Sequence, residues 1–313
     1  MSGAGVPVAR ERRHTLYFLR EIRAFAPVFL DTEVDMTSVL AHRAATRAGG
    51  RPYSVVSYVL HGAARVLADH PEANAAARGK AVPRVRRYAS VHGKLTLDKT
   101  LGGRRVVLSA VLPDLDRASL AEIQRQVWHY ADGDPAQLPE FAPLARLHRL
   151  PKALGAFAFG RAVRPLGNRA RRFGTFAVTS LGHRAVDGFH SVGGTTVTLG
   201  VGRIVERPVV RDGEIVIAPI LRLNLAFDHR VIDGAEAADV LTEIKRALEE
   251  FAAPGPVVAA SAAVSAAVSA SAAEAEAGAA TEAKAETEAA HPEARPDPTP
   301  TPTRAPTPEG SRR

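Results

Sequence analysis

The stretch Ile215 to Phe227 is largely apolar and runs directly into Asp228-His229-Arg230-Val231-Ile232-Asp233-Gly234. An apolar run of that length ending in a polar loop reads as a buried strand. The residues that follow, Ala235 to Phe251, place Ala238, Leu241, Ile244 and Leu248 at helical spacing. A strand, a loop and a helix in that order point to an α/β architecture in which the loop is held at a strand end. Inside the loop a histidine is followed four residues later by a carboxylate and then by a glycine, which lets the chain turn without a Cβ clash. A histidine at such a strand-to-turn junction can be held rigidly while its ring faces a cleft. Taken alone the pattern is weak, since a lone histidine is usually structural.

Upstream, Arg10 to Ala24 reads as a helix, Val28 to Asp35 as a strand, and Thr37 to Arg47 and Tyr53 to Asp69 as helices. Tyr88 to Leu97 and Val106 to Leu112 are expected to be strands. Ser119-Leu120-Ala121-Glu122 has the form of a capping box opening a helix that runs through Trp128. Beyond Ala253 the composition shifts to Ala, Ser, Glu, Pro and Thr. Such a segment lacks the large apolar residues that offset chain entropy, so residues 254–313 are expected to be a disordered tail behind one domain at 1–253.

Charge divides along the same boundary. The whole chain carries a net +8, while residues 254–313 hold eight acids and five bases, which leaves the first 253 residues strongly basic. A basic surface suits a phosphate-bearing donor such as coenzyme A, and equally loose attraction to nucleic acid or anionic lipid. Nucleic-acid binding is the weakest of these, because no recognition motif accompanies the charge. The chain has no cysteine, which excludes disulfides, thiolate catalysis and a Cys-ligated metal. No signal-peptide core and no apolar run approaching the ~20 residues of a membrane span is present, so a cytoplasmic location is the default expectation.

Four segments in order carry a resemblance. Arg12-Arg13, Pro27 and the strand Phe29 to Thr37 come first, and Ser54 to Ala75, ending Pro71-Glu72-Ala73-Asn74-Ala75, comes second. Gly174-Thr175-Phe176-Ala177-Val178-Thr179-Ser180-Leu181-Gly182 is the third. The fourth joins Arg207 to Ile215 with Phe227 to Leu241. Together they resemble the catalytic domain of dihydrolipoyl acyltransferases of 2-oxo acid dehydrogenase complexes, over roughly residues 9–252. Chloramphenicol acetyltransferase shares the fold and the His-x-x-x-Asp-Gly loop. The resemblance implies an α/β, chloramphenicol acetyltransferase-like two-layer sandwich with a mixed sheet, assembled as a homotrimer with active sites between subunits.

It also implies the chemistry. Imidazole, with an ordinary pKa of about 6.5, suits a general base acting on a thiol, hydroxyl or amine, and the resemblance assigns that role to His229. Thr179 takes the place of the hydroxyl that donates to the oxyanion. Asp233 orients the loop by pairing with a first-helix arginine, Arg13 or failing that Arg12, with Gly234 and Asp228 as structural residues of the loop. The donor is a thioester, either acyl-coenzyme A or an acyl-dihydrolipoyl group supplied in trans by a lipoyl-bearing protein, and no metal is implied. No residues are assigned to binding the coenzyme.

The departures from the pattern matter equally. Ser191-Val192-Gly193-Gly194-Thr195-Thr196 stands where relatives carry Pro-Pro-Gln, so that pocket wall differs. A basic insert, about 134–172, carries Arg161, Arg164, Arg169, Arg171 and Arg172. It admits three readings: a solvated, partly helical excursion, a lid over an acceptor or phosphate pocket, or a stretch lying on an anionic surface. The triad Arg84, Arg86 and Arg87 is read chiefly as a solvated face. The resemblance begins within the first dozen residues, so neither a lipoyl nor a subunit-binding domain is expected before it. The alternative to an enzyme is a non-catalytic trimeric scaffold whose C-terminal tail recruits a partner.

Overall fold

The apolar run before the histidine loop forms a long strand, β8 (Glu214–Asp228), in a six-stranded mixed sheet. The computed structural model describes residues 7–47, 50–79 and 82–252, so the expected tail at 254–313 lies outside the described residues. The other sheet strands are β1 (Pro27–Asp35), β4 (Gly93–Leu101), β5 (Arg104–Leu112), β6 (Phe176–Ser180) and β7 (Val197–Arg211). Their order is β1-β8-β7-β6-β4-β5. The β7/β6 and β6/β4 pairs are parallel, and the rest are antiparallel. A separate ribbon pairs β2 (Ala75–Arg78) with β3 (Arg84–Arg87).

Side chains alternate across each strand, and here the alternation separates two chemistries. Leu221, Leu223, Leu225 and Phe227 of β8 join Phe176, Val178, Leu95 and Leu97 in one continuous core. Over that face lie α3 (Val55–Asp69), α4 (Leu120–Asp132) and α8 (Gly234–Glu249), with α2 (Thr37–Thr46) packed beside α8. Val240, Leu241, Ile244 and Leu248 of α8 and Tyr58, Leu60, Ala63 and Leu67 of α3 supply the helical half of the core. The expected capping box is present at the start of α4: Ser119 accepts from the Glu122 N–H, and the Glu122 carboxylate accepts from the Ser119 N–H.

The helix expected at Arg10 to Ala24 is continuous but changes pitch. Short 3-10 turns at Arg10–Arg12 and Ile22–Ala24 flank α1 (Arg13–Glu21). The strand expected at Tyr88 to Leu97 starts late, at Gly93. Residues 88–92 form a connection instead, because the buried Asn74 side-chain amide donates to the carbonyls of Tyr88 and Ser90 and ties that backbone away from the sheet. All four residues of β3 are exposed, and Arg87 pairs with Glu72, as a solvated face would do.

The insert is three packed helices, which corrects the reading of a solvated excursion. They are α5 (Ala142–Arg149), α6 (Lys152–Val163) and α7 (Leu166–Phe173). Phe141, His148, Val163, Ala170 and Phe173 are buried, and the helices pack on one another and on α1. The apolar face of α1 needs a partner, and these helices provide it. Tyr17 meets Phe159 at 6.1 Å between ring centroids and Phe18 meets Phe173 at 5.9 Å. They cover the sheet face turned away from the core, beside β4.

The hairpin joining β7 to β8 turns on Asp212 and Gly213, both with positive φ (51° and 84°), the geometry of a two-residue type I′ loop. Beyond Ile204 it is a two-stranded ribbon for most of its length. β6 ends opposite Val201 and β1 reaches only Ile220, so among the described residues Glu206–Arg211 and Glu214–Pro219 have only each other as strand partners, with the Met36 N–H donating to the Pro219 carbonyl at the base of the ribbon. No helix among the described residues is long and apolar enough to cross a membrane.

His70, at the C-terminus of α3, bridges to α8: Nδ1 lies 2.8 Å from Glu236 and Nε2 3.2 Å from Glu243. Burial disfavours the imidazolium, but the two carboxylates outweigh it and raise the His70 pKa. A raised histidine pKa gives stability that is fully present below about pH 6.5 and is lost as pH rises through the folded-state value. His70→Gln is therefore expected to cost about 1 kcal/mol at pH 5.5 and much less at pH 9, read as the difference in unfolding midpoint between variant and parent.

Candidate active site

Asp228 closes β8 with its carboxylate turned away from the core and only 2% exposed. A buried carboxylate must be paired or hydrogen-bonded. Here Oδ1 accepts from Arg230 Nε at 2.8 Å, from the Arg230 N–H at 3.3 Å and from the Ala26 N–H at 3.4 Å, while Oδ2 accepts from Arg230 Nη2 at 2.5 Å. The guanidinium also stacks 5.0 Å from the Phe25 ring centre. The loop is thus pinned to the chain that enters β1. His229 adds a second tie, its N–H donating to the Ala26 carbonyl at 2.9 Å.

That frame leaves the His229 side chain 45% exposed, against the Phe227 ring at 5.4 Å. Its Nδ1 lies 3.3 Å from Asp233 Oδ1. Asp233 itself is 89% exposed and forms the N-terminal boundary of α8. The expected Asp233 pair with Arg13 is not formed. Arg13 instead donates from Nη1 to the carbonyls of His148 and Leu150, both at 3.1 Å. The cause is the insert: the last carbonyls of a helix lack intrahelical donors, and α5 ends beside Arg13. Arg12 is not the substitute, since the Asp233 ion pair among the described residues is with His229.

The role expected for Gly234 is corrected as well. It is the first residue of α8, its φ is not positive, and a Cβ built on it meets nothing within 4 Å. The turn is made by residues 229–233, with Asp233 in extended backbone (φ −93°, ψ 172°).

Thr179 lies in β6, half-buried, on the sheet face opposite the core. It stands beside Thr96 of β4 and Gly200 of β7, and Gly200 stands opposite Asn224 of β8. His229 is five residues beyond Asn224 and two strands across, about 20 Å from Thr179 by strand spacings of ~3.4 and ~4.8 Å. One chain therefore does not bring the two together.

The segment after β6 folds back over that same face. Phe189 donates its N–H to buried Asn224 Oδ1 at 3.0 Å, and Arg203 donates its N–H to the Val186 carbonyl at 2.9 Å. The approach is so close that a Cβ on Gly200 would lie 2.2 Å from the Phe189 oxygen, and one on Gly202 would lie 2.0 Å from the Asp187 oxygen. Farther along, two cations grip the altered wall. Lys94 Nζ donates to the Gly193 carbonyl at 2.6 Å, and Arg169 Nη2 to that of Gly194 at 2.5 Å. Lys94 is 5% exposed, with its ammonium 4.6 and 3.9 Å from the ring centres of Phe18 and Phe173. Burial, aided by Arg169, pushes its pKa down to about 7. Lys94 and Asn224 were not singled out in the sequence. The available signal was a polar residue at an outward position between core-facing leucines, as Asn224 stands between Leu223 and Leu225.

Residues 168–254 match the family model described as 2-oxoacid dehydrogenases acyltransferase (catalytic domain). A 52-residue stretch is 62% identical to the dihydrolipoyllysine-residue acetyltransferase component of the pyruvate dehydrogenase complex of Bacillus subtilis, covering 17% of this chain and 12% of the relative. The counterpart in Staphylococcus aureus strain Mu50 is 58% identical over 50 residues, 16% of this chain and 12% of that protein. The chain thus spans about an eighth of the length of the curated relatives it matches.

Among solved structures, a probable dihydrolipoamide acetyltransferase from Listeria monocytogenes aligns with a TM-score of 0.60 at 20% identity, over 82% of this chain and 98% of that one. An Azotobacter vinelandii dihydrolipoamide acetyltransferase aligns with a TM-score of 0.60 at 22% identity, over 80% and 93%. Its catalytic mechanism was investigated at a serine, a histidine 52 residues later and an asparagine four residues after that. The fold of this chain is that of these acetyltransferases.

Replacing Asp228 by Asn removes the charge that holds Arg230 and the entry to β1. The expected cost is about 1–3 kcal/mol, measured as a shift in denaturant midpoint. An unchanged midpoint would show that the loop is held by other contacts.

Proposed function

We propose, from the match of residues 168–254 to the model of 2-oxoacid dehydrogenases acyltransferase catalytic domains, that the chain is an acyltransferase acting on a thioester, with its active site completed between copies in a trimer. The observation that carries the reading is the pose of His229, exposed at the end of a braced loop with Nδ1 turned to a carboxylate. A carboxylate at Nδ1 favours the tautomer with its proton there and leaves Nε2 as the base. Nε2 takes the proton of the acceptor thiol, hydroxyl or amine while the acceptor attacks the thioester carbonyl. The carbonyl oxygen becomes an oxyanion, and the Thr179 hydroxyl of a neighbouring copy donates to it. The intermediate then collapses: the new acyl bond is kept, the carbon–sulfur bond breaks, and the thiolate leaves with the proton held on His229.

Order and spacing support the residue assignment. Thr179, His229 and Asp233 are separated by 50 and 4 residues, against 52 and 4 for the three positions probed in the Azotobacter vinelandii enzyme. Asp233 takes the place of the asparagine and orients the imidazole directly. Coenzyme A and dihydrolipoyl thioesters, the latter carried by another protein, are the donors that fit the family. A cytoplasmic setting and a tail at 254–313 that serves as a tether belong to the same proposal.

His229→Ala is expected to lower turnover of an acyl-coenzyme A or acyl-dihydrolipoamide by about 10²–10⁴-fold. Thr179→Val is expected to lower it by about 10²–10³-fold with the same sedimentation behaviour as the parent. Mixing the two inactive variants is the sharper assay. If the site is shared between copies, re-formed mixed trimers regain part of the activity, because some interfaces pair an intact Thr179 with an intact His229. No recovery would remove the shared site, and full activity in His229→Ala would leave the scaffold reading in its place.

A further inference from the structure

A cavity of about 580 Å³ opens beside the histidine loop, where the end of α1, the end of β2 and the inserted helices meet. Its walls include six arginines, Arg20, Arg23, Arg78, Arg164, Arg169 and Arg230, and a single carboxylate, Glu21. Two of the six are neutralised by pairing: Arg164 with Glu21 at 2.6 Å and Arg230 with Asp228 at 2.5 Å. For the other four, no carboxylate lies within ion-pair distance among the described residues. Arg169 gives two of its five donors to the carbonyls of Val163 and Gly194 and lies 4.7 Å from the Phe173 ring centre, so its position is fixed while three N–H groups remain for a ligand.

Arg20, Arg23 and Arg78 are exposed around the mouth and Arg169 is half-buried, so four uncompensated cations converge on one concavity and repel each other. Such a cluster is a poor stability device and a good trap for a polyanion. Guanidinium groups present planar forks that match phosphate oxygens two at a time, which a scatter of lysines would not do. The volume suits a small molecule.

We propose that this pocket binds a phosphate-bearing small molecule through Arg20, Arg23, Arg78 and Arg169, with the insert supplying one wall. The proposal does not rest on the acyl-transfer reading, since none of these four arginines takes part in the chemistry assigned to His229 and Thr179. The recognised group is a diphosphate or a pair of phosphates. It is carried either by coenzyme A or by a separate phosphorylated metabolite.

The test uses the full chain and inorganic pyrophosphate as the probe, followed by titration calorimetry at low ionic strength. Saturable binding of one pyrophosphate per chain is expected. The double variant Arg23→Ala/Arg78→Ala is expected to weaken it at least about 10-fold, while Arg117→Ala/Arg125→Ala, on exposed arginines elsewhere, leaves it unchanged. Should the first variant fold poorly, phenylglyoxal labelling of the parent read by mass spectrometry gives the same answer: pyrophosphate protects Arg23 and Arg78 but not Arg117. Displacement of pyrophosphate by coenzyme A, together with weaker coenzyme binding in the first variant, identifies the coenzyme as the source. Tight pyrophosphate binding that coenzyme A does not displace identifies a separate ligand. Absence of saturable binding, equal weakening in both variants or equal protection of all three arginines would overturn the proposal, whatever the outcome of the turnover assays.

Discussion

The buried Asp228 carboxylate is the constraint on which the arrangement of this end of the molecule depends. It stands where β8 leaves the sheet, with the Arg230 guanidinium and the Ala26 N–H as its partners. Removing a carboxylate from water is costly unless its lone pairs are filled, so the loop has little freedom to choose another path. His229 inherits its position from that requirement. Its own backbone hydrogen bond to Ala26 then fixes the entry to β1 by a second tie. The imidazole and the carboxylate that holds the loop are neighbours in sequence with opposite environments, one exposed and one sealed.

The insert changes what α1 does. Without a helix ending nearby, Arg13 would be available to a carboxylate; with α5 ending beside it, the guanidinium serves two free carbonyls. Asp233 is left in solvent, in contact with the imidazole. The same helices bring Phe173 and Arg169 to the Gly193-Gly194 segment, where Lys94 and Arg169 hold adjacent carbonyls. A pair of glycines has neither the stiffness of prolines nor side chains to pack, so outside anchors set its path.

Much of this was legible in the sequence, for reasons that differ by element. The core helices and β8 announced themselves because the period of their apolar residues matches the face they bury, as with Leu241, Ile244 and Leu248. The capping box at Ser119 is a local motif with a local cause. Other features depend on partners remote in sequence. Tyr88 and Ser90 look like strand residues, but Asn74 ties down their carbonyls. The Arg13 assignment failed because the competing acceptors lie some 135 residues away, at the end of a helix whose packing on α1 no local pattern encodes. The separation of Thr179 from His229 follows from strand order, which periodicity does not encode.

The β7–β8 ribbon has a consequence for how the molecule breathes. Its outer part has no third strand on either side among the described residues, and Val210, Ile215 and Ile217 are exposed rather than packed. A two-stranded hairpin in water is marginal by itself, so this arm sits at the weak end of the molecule's local stabilities. In the isolated chain its amides are expected to exchange with solvent by fraying from the tip, well before the Leu221–Phe227 stretch of the same strand opens. One continuous strand thus holds two rates of opening, and the boundary between them falls at Ile220, where β1 begins to pair.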